Sequence, residues 1–478
     1  MNHTVEKIGG TSMSNYQAVR DNIVIGSRND NDYYQRIFVV SAYGGVTNLL
    51  LESKKSDHPG IYALFTDAED EEAWRHAMAI LHHELHTLNR ELFDDELLLA
   101  AANSFISQRL DDAEGVLDNL RTLCEHGHFE LDNHLLTVRE MLASIGEAHS
   151  AWNTTQLLQR DGINARFIDL SGWNAEETRP LDEVIQHAFA NIDLASELPI
   201  VTGYAHCKEG LMGTFDRGYS EMTFSRIAVL SEASEAVIHK EYHLSSADPG
   251  IVGETSSVPI GRTNYDVADQ LANLGMEAIH PRAAKGLRQN KIPLRVKNTF
   301  EPEHRGTLIT GDYVSATPCV EIIAGRRHLH AIELFDQNMV GMRDEYEKRL
   351  FDIFRRFRAT VVTKDINANT ITHYLACNLK TVKRLIKAIK EQLPGSESVH
   401  RKVSMVSAIG SDMQVPGLLA KAVSALADNS ISIIAMHQSM RQVDMQFIID
   451  EADYDDTVRS LHCRLVEPYN YGEAICAA

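Results

Sequence analysis

A lysine, two glycines and two hydroxyls stand together at Lys7-Ile8-Gly9-Gly10-Thr11-Ser12. Such a stretch suits a polyanion. The glycines let the backbone turn tightly and bring N–H groups close to phosphate oxygens. The lysine adds a point charge, and the hydroxyls add donors. No G-x-x-x-x-G-K-[ST] pattern occurs, so ATP bound here would need another kinase architecture. Six further segments hold residues with chemical potential: VVSAYGGVTN at 39–48, SIGEAHSA at 144–151, TGYAHCKEGLMGTFDRGYSE at 202–221, SSADPGIVG at 245–253, LGMEAIHPRA at 274–283 and IPLRVKNTFEPEHRGTLI at 292–309.

The elements that must position them follow from periodicity. Thr4 to Ile8 reads as a short buried strand, Gly9-Gly10 as the turn. Ser14 and Gln17 form a capping-box pattern before Tyr16, Val19 and Ile23 at helical spacing. Arg36 to Ala42 is a continuous apolar run, the mark of a buried parallel strand. Gly44-Gly45 then opens a second turn before a leucine-rich helix. Two strand–glycine–helix units imply an α/β layer with helices on both faces, and anions would sit at the strand carboxyl ends. Residues 68–160 are helix-dominated, with His82, His83 and His86 on a face that reads as solvated rather than metal-binding. Strand signals return at Ala165–Leu170, Leu198–Gly203 and Ala236–His239, with a helix from Ser220 to Leu230 between the last two. Pro293–Lys297 reads as the last strand of this domain.

Beyond about residue 312 a β-α-β-β order appears: Leu329–Phe335, a helix Asp344–Arg358, Ala359–Thr363 and Thr370–Ala376. It recurs as Val403–Ile409, Val415–Ala427, Ile431–Met436 and Met445–Ile449. This weak internal repeat implies two ferredoxin-like modules, with Gly341 and Gly417 at matching strand-to-helix turns.

Composition narrows the classes. The 478 residues allow two or three domains, and 44% hydrophobic with 24% charged residues is ordinary for a globular protein. A net charge of −21 argues against nucleic acid or an anionic membrane as partner. Six dispersed cysteines without a C-x-x-C pair, no signal-peptide pattern and no apolar run of membrane length point to a reduced, cytoplasmic protein.

In their order along the chain, the seven segments resemble the aspartate kinases of the amino-acid-kinase superfamily. The family patterns are K-F-G-G-T-S, V-V-S-A-x-G-x-T-[ND], a helical G-E, G-R-G-G-S-D, T-x-D-P-R and L-H-P, followed by two ACT modules. The resemblance implies an α/β/α carbamate-kinase-like sandwich over 1–311, an ACT domain over 312–398 and a second over 399–478, with the C-terminal strand able to complete the first. It implies ATP-dependent phosphorylation of the side-chain carboxylate of L-aspartate, with Mg²⁺. Acceptor chemistry fits: that carboxylate has a pKa of roughly 3.9, so it arrives ionised and needs no general base. The departures resemble the branch associated with ectoine synthesis. Other readings are another amino-acid or carbamate kinase, or a non-catalytic amino-acid sensor.

Residue by residue, the resemblance assigns Lys7 to the β/γ phosphates and Gly9, Gly10 and Thr11 to the backbone cradle. Ser41, Ala42 and Thr47 fall near the aspartate or the transferred group. Glu147 would take the α-ammonium of aspartate and Arg217 a substrate carboxylate, with Ser220 beside it or capping the next helix. Glu221 replaces the family aspartate, and Tyr219 a glycine. Ser246 and Asp248 fall in the nucleotide stretch, where the Thr-Asp pair and tyrosine are gone. Glu277 stands where a phosphate-side lysine is expected, and Lys240 is the candidate replacement. In the tail, Asp336, Asn338, Ser411, Asp412 and Val415 mark candidate effector loops for lysine or threonine. A homodimer or homotetramer through the ACT edges is expected.

Overall fold

The structure, a computed structural model, describes residues 2–26, 28, 32–52, 58–67, 72–126, 128–173, 177–215, 218–276 and 278–468. The chain forms two compact units, Met1–His243 with Ile279–Thr310, and Leu244–Ala278 with Gly311–Ala478. The break after Thr310 lies next to the expected 311/312 boundary. Leu244–Ala278, expected within the first domain, group instead with the second unit.

In the first unit the strands run Ala165–Ile168, Leu198–Thr202, Arg36–Val40, Thr4–Ile8, Glu235–Lys240, Leu294–Asn298 and Thr307–Thr310 across one sheet. All are parallel except the last, which pairs antiparallel with Leu294–Asn298. Leu294–Asn298 is therefore not the final strand. The polar run between them had hidden the short TLIT strand, whose burial alternates.

Thr4–Ile8 lies at the centre, hydrogen-bonded on both sides. Glu6 and Lys7 point to opposite faces of it, by the period-two geometry of a strand. On the Glu6 face, Arg36 forks onto the carboxylate, Nε to Oε1 at 2.7 Å and Nη2 to Oε2 at 3.1 Å. Arg36 also donates to the carbonyls of Ile23 and Val24, so the segment Tyr16–Ile25 covers this face. His239 Nε2 lies 2.7 Å from Glu6 Oε2. Burial pushes the Glu6 carboxyl up, but Arg36 and His239 outweigh it and hold it well below the ordinary range. On the Lys7 face packs the helix Tyr219–Leu230.

The capping box at Ser14 is not used. Asn15 is the N-cap, its Oδ1 accepting from the Ala18 N–H at 3.1 Å. Ser14 Oγ accepts from the Gly44 N–H at 2.7 Å and so ties the two glycine turns together. The helix then widens into a π-turn over Val19–Ile25, ending at Gly26 with φ +52°. Three long helices, Ala73–Leu92, Glu96–Cys124 and Leu135–Arg160, fill the predicted helical region. The middle one is capped by Asp95, which accepts from Leu97 and Leu98 N–H at 2.9 Å. No helix among the described residues is long and apolar enough to cross a membrane.

In the second unit one six-stranded antiparallel sheet runs Thr360–Ile366, Thr370–Ala376, Ile322–Phe335, Glu397–Ile409, Asp444–Asp450, Ile433–Gln438. Its two long central strands pair from Glu397↔Phe335 to Ile409↔Ile322, with a register shift between Val403 and Met405. The helices Arg343–Arg356 and Leu379–Gln392 bury Ile332, Leu334, Ile371 and Leu375 in one core. Leu418–Asp428 and Tyr454–Leu465 bury Val406, Ala408, Phe447 and Ile449 in another. The first βαββαβ module is thus completed by its own Glu397–Val403 segment. The second is completed by Ile322–Arg326, which precedes the first module in the chain. The expected 398/399 boundary falls inside a strand that both modules share, and residues 469–478 lie outside the described part.

Removing one member of the Glu6–Arg36–His239 group leaves a buried charge uncompensated. Arg36→Ala should lower stability by about 3–5 kcal/mol, measured by urea unfolding at neutral pH. Because the Glu6 carboxyl is depressed in the fold, its stabilisation is present above the unfolded value near 4.3 and fades as pH falls below it. Glu6→Gln should flatten that acid limb.

Candidate active site

The strand carboxyl ends gather the expected segments. Gly9 is extended, φ −69° and ψ 155°, and its N–H donates to the His239 carbonyl at 3.1 Å. Gly10 is required by space: a Cβ there would lie 2.7 Å from the Ala42 carbonyl oxygen. Thr11 is exposed beside it. The Ser41 N–H donates to the Ile8 carbonyl at 3.1 Å, and Ser150 Oγ donates to the Ser41 carbonyl at 2.8 Å. Gly45, φ +89°, opens the short helix Val46–Leu50 on which Thr47 sits half-buried. Gly146 lets the helix Leu135–Arg160 approach this turn, since a Cβ would come 2.8 Å from Ala42 Cβ.

Lys7 is only 7% exposed, and its Nζ lies 3.9 Å from Glu221 Oε1. Glu221 Oε2 accepts from the His280 backbone N–H. Residues 218–221 and the IHP segment therefore meet at one carboxylate. They are packed closely enough that a Cβ on Gly218 would lie 2.6 Å from His280 Cδ2. Glu147 is buried among Lys7, Tyr204 and Tyr219. Its Oε2 is left without a hydrogen-bond partner. Burial pushes its carboxyl up to about 8, against the pull of the Lys7 ammonium first and of the Tyr204 backbone and Tyr219 side chain after it. Gly203 backs this carboxylate, since a Cβ there would lie 2.7 Å from Ser220 Cβ and 3.0 Å from Glu147 Oε2. Ser220 is buried against it and does not cap its helix, whose N-cap is Gly218.

Lys240 ends the strand beside Thr4–Ile8. The register Lys7↔Ile238 puts it on the face of Lys7, one side chain further along. Its carbonyl accepts from the Thr299 N–H at 2.7 Å, and Thr299 Oγ1 lies 2.9 Å from Ser12 Oγ. Arg217 and Glu277 lie outside the described residues.

Ser246 and Asp248 fall in the second unit. Ser246 is buried, with Oγ 3.0 Å from His462 Nε2 on the helix Tyr454–Leu465 and accepting from the Val258 N–H at 3.1 Å. Asp248 is exposed and caps the turn Pro249–Val252. The tail loops are internally satisfied. Asp336 accepts from the Asn338 N–H, Tyr346 Oη and Ser396 Oγ. Ser411 Oγ donates to buried Glu321, Asp412 Oδ1 accepts from the Gln414 N–H at 2.9 Å, and the Val415 N–H reaches the Met413 carbonyl at 2.7 Å.

Sequence reasoning missed Glu140. It lies two helical turns before Glu147, on the same side of the helix. It accepts from Tyr204 Oη at 2.5 Å and from the Met212 and Gly213 N–H groups at 2.7 and 3.2 Å. The spacing of the two glutamates was the available signal.

Residues 2–298 match the model of the amino acid kinase family, and 406–465 match an ACT domain. A relative from Stutzerimonas stutzeri (strain A1501), aspartate kinase Ask_Ect, is 55% identical over 100% of both chains. The chain belongs to the aspartate kinases of the amino acid kinase family. Aspartokinase 1 of Arabidopsis thaliana is 24% identical over 98% of this chain and 81% of its own. The same fold is seen in E. coli aspartokinase III crystallised with aspartate and ADP, at TM-score 0.70 and 20% identity over 98% of this chain and 100% of that one. The enzyme phosphorylates the side-chain carboxylate of L-aspartate at the expense of ATP.

The raised Glu147 carboxyl has a measurable consequence. The fold holds the Glu147 proton up to pH about 8, whereas an unfolded glutamate releases it near 4.3. Stability of the ligand-free enzyme should therefore fall across that window. Glu147→Gln should remove this slope and leave the variant more stable than wild type at pH 8.5, read from urea unfolding.

Proposed function

We propose that Lys7, Glu221 and Lys240 manage the phosphoryl group, while Ser41, Ala42, Thr47, Glu147, Arg217 and Ser220 hold aspartate. The observation that carries this is the burial of the Lys7 ammonium between two carboxylates of unlike state. Glu221 is engaged at both oxygens, by Lys7 and by His280. Glu147 keeps one oxygen open. The first arrangement holds a cation for phosphate. The second leaves an acceptor for an ammonium.

The nucleotide would enter as its magnesium complex, with Gly9, Gly10 and Thr11 facing the phosphates. An oxygen of the aspartate side-chain carboxylate attacks the γ-phosphorus. The bond from that phosphorus to the β–γ bridging oxygen breaks, and ADP leaves with the electron pair. No proton moves in this step. Two anions must be brought together, so fixed cations and positioning supply the rate. Lys240 shares the face of Lys7, which supports its part in replacing the cation absent at Glu277. The turns at Asp336–Gly341 and Ser411–Gly417, with Gly341 and Gly417 at φ +82° and +79°, are proposed to hold an amino-acid effector such as lysine or threonine, and the ACT edges to join copies of the chain.

Trapping the acyl phosphate as hydroxamate tests the scheme. Lys7→Ala should lower kcat by about 10²–10³-fold. Lys240→Ala should lower it by at least about tenfold, and near wild-type turnover would remove Lys240 from the site. Aspartate binding should also release close to one proton at pH 7, because its ammonium ionises Glu147. Calorimetry in buffers of different ionisation enthalpy reads that number, and zero release would argue against the contact.

A further inference from the structure

Glu140 and Glu147 stand seven residues apart on the helix Leu135–Arg160. Seven residues make two turns, so the pair shares one face with roughly 10 Å between them. The segment 203–215 lies along that face. It starts at Gly203, whose N–H donates to the Val40 carbonyl at 3.0 Å and where a Cβ would lie 3.0 Å from Glu147 Oε2. It ends in the short helix Leu211–Phe215, just before Arg217. Glu140 meets this segment three times. Its Oε2 accepts from Tyr204 Oη at 2.5 Å, and its Oε1 from the Met212 and Gly213 N–H groups at 2.7 and 3.2 Å. A Cβ on Gly210 would come 3.6 Å from the same Oε1, and one on Gly213 would come 3.3 Å from Leu136, one turn earlier on the helix. The junction is dry: Glu140 is 8% exposed and Tyr204 1%. A helical glutamate ordinarily faces water. Here all three bonds go to one segment.

We propose that Glu140 is a positioning residue for aspartate recognition: it pins the segment 203–215 to the helix that carries Glu147, so that Arg217 and Glu147 grip the amino acid at a spacing set by one rigid element. This rests on the reading of Glu147 and Arg217 as aspartate contacts. The ammonium and carboxylate groups of aspartate are a few bonds apart, so a displacement of about 1 Å in either grip weakens their joint hold. A loop alone lacks that precision. The three bonds supply it by fixing the segment at two points, the Tyr204 hydroxyl near its start and the Met212–Gly213 backbone near its end. Tyr204 is itself held from its other sides. Thr202 Oγ1 donates to its carbonyl at 2.9 Å, and the Tyr219 ring meets its ring edge-on, with centroids 5.6 Å apart at 76°. Tyr204 therefore cannot leave Glu140 without disturbing the helix Tyr219–Leu230, on which Ser220 stands.

The test compares three variants in the hydroxamate assay. Glu140→Ala removes the junction, and KM for aspartate should rise about tenfold or more with KM for ATP unchanged. Glu140→Gln keeps an acceptor for the two N–H groups and can donate to Tyr204 Oη, so it should recover most of the loss. Tyr204→Phe removes one bond and keeps the ring. It should raise KM for aspartate about two- to tenfold, and add nothing in a Glu140→Ala background. If Glu140→Ala fails to fold, Tyr204→Phe reads the same split between aspartate and ATP. Unchanged aspartate KM in these variants, with aspartate binding lost in Arg217→Ala, would overturn the proposal and leave the Arg217 reading standing. Unchanged aspartate KM in Arg217→Ala would overturn both. Equal losses toward aspartate and ATP with a lowered Tm would show a purely structural role and also overturn it.

Discussion

A single ammonium in a dry place organises the first unit. Lys7 is buried in the middle strand of a sheet, where a lone cation would be intolerable. Its charge is met by Glu221, whose second oxygen accepts from the His280 backbone N–H. Glu147 lies near it as a carboxyl that burial keeps protonated up to pH about 8. The opposite face of the same strand repeats the problem with reversed sign, and Arg36 and His239 solve it around Glu6. A strand of sequence TVEKI thus carries buried opposite charges back to back. Each face must be fully partnered before the strand can occupy the centre of the sheet.

Much of this was legible in the sequence, because the signals were local. The central apolar runs gave their strands, and the order of seven segments gave the family. What escaped was set by distance in sequence. Ser14 looked like a helix cap, since Gln17 follows at the right interval. A better partner, the Gly44 N–H, was available from another turn, and Asn15 took over the cap. Glu140 looked like one more helical glutamate. Its role depends on Tyr204 and on the 211–213 backbone, which no local pattern connects to it. The TLIT strand was obscured by its polar flank, and it acquires meaning only from the neighbour it pairs with.

The two regulatory modules show the same limit at larger scale. The repeated β-α-β-β order was visible, with its glycines at matching turns. Strand exchange was expected only from the resemblance and from the other end of the chain, a C-terminal strand completing the first module, whereas Ile322–Arg326 completes the second. The register shift near Val403 divides the two long strands between the modules and lets one sheet serve both. Ser246, in the stretch read as nucleotide-facing, is bonded to His462 on the last helix of this tail. A hydroxyl read as a ligand contact therefore has a structural partner within its own unit.

The nesting of one module inside the other also dictates an order of assembly. As the chain leaves the ribosome, Ile322–Arg326 emerges first but has no partner until Met405–Ile409 follows. The inner module can form its own hairpin and helices in the interval, since Leu329–Phe335 pairs with Thr370–Ala376 nearby. The outer module must wait, and its waiting edge strand is apolar, with Ile322 and Ile323 destined for the core. Prompt closure of the inner module shortens that exposure by carrying the distant strand back into register. The inserted module is in this sense the splint on which the outer one is built.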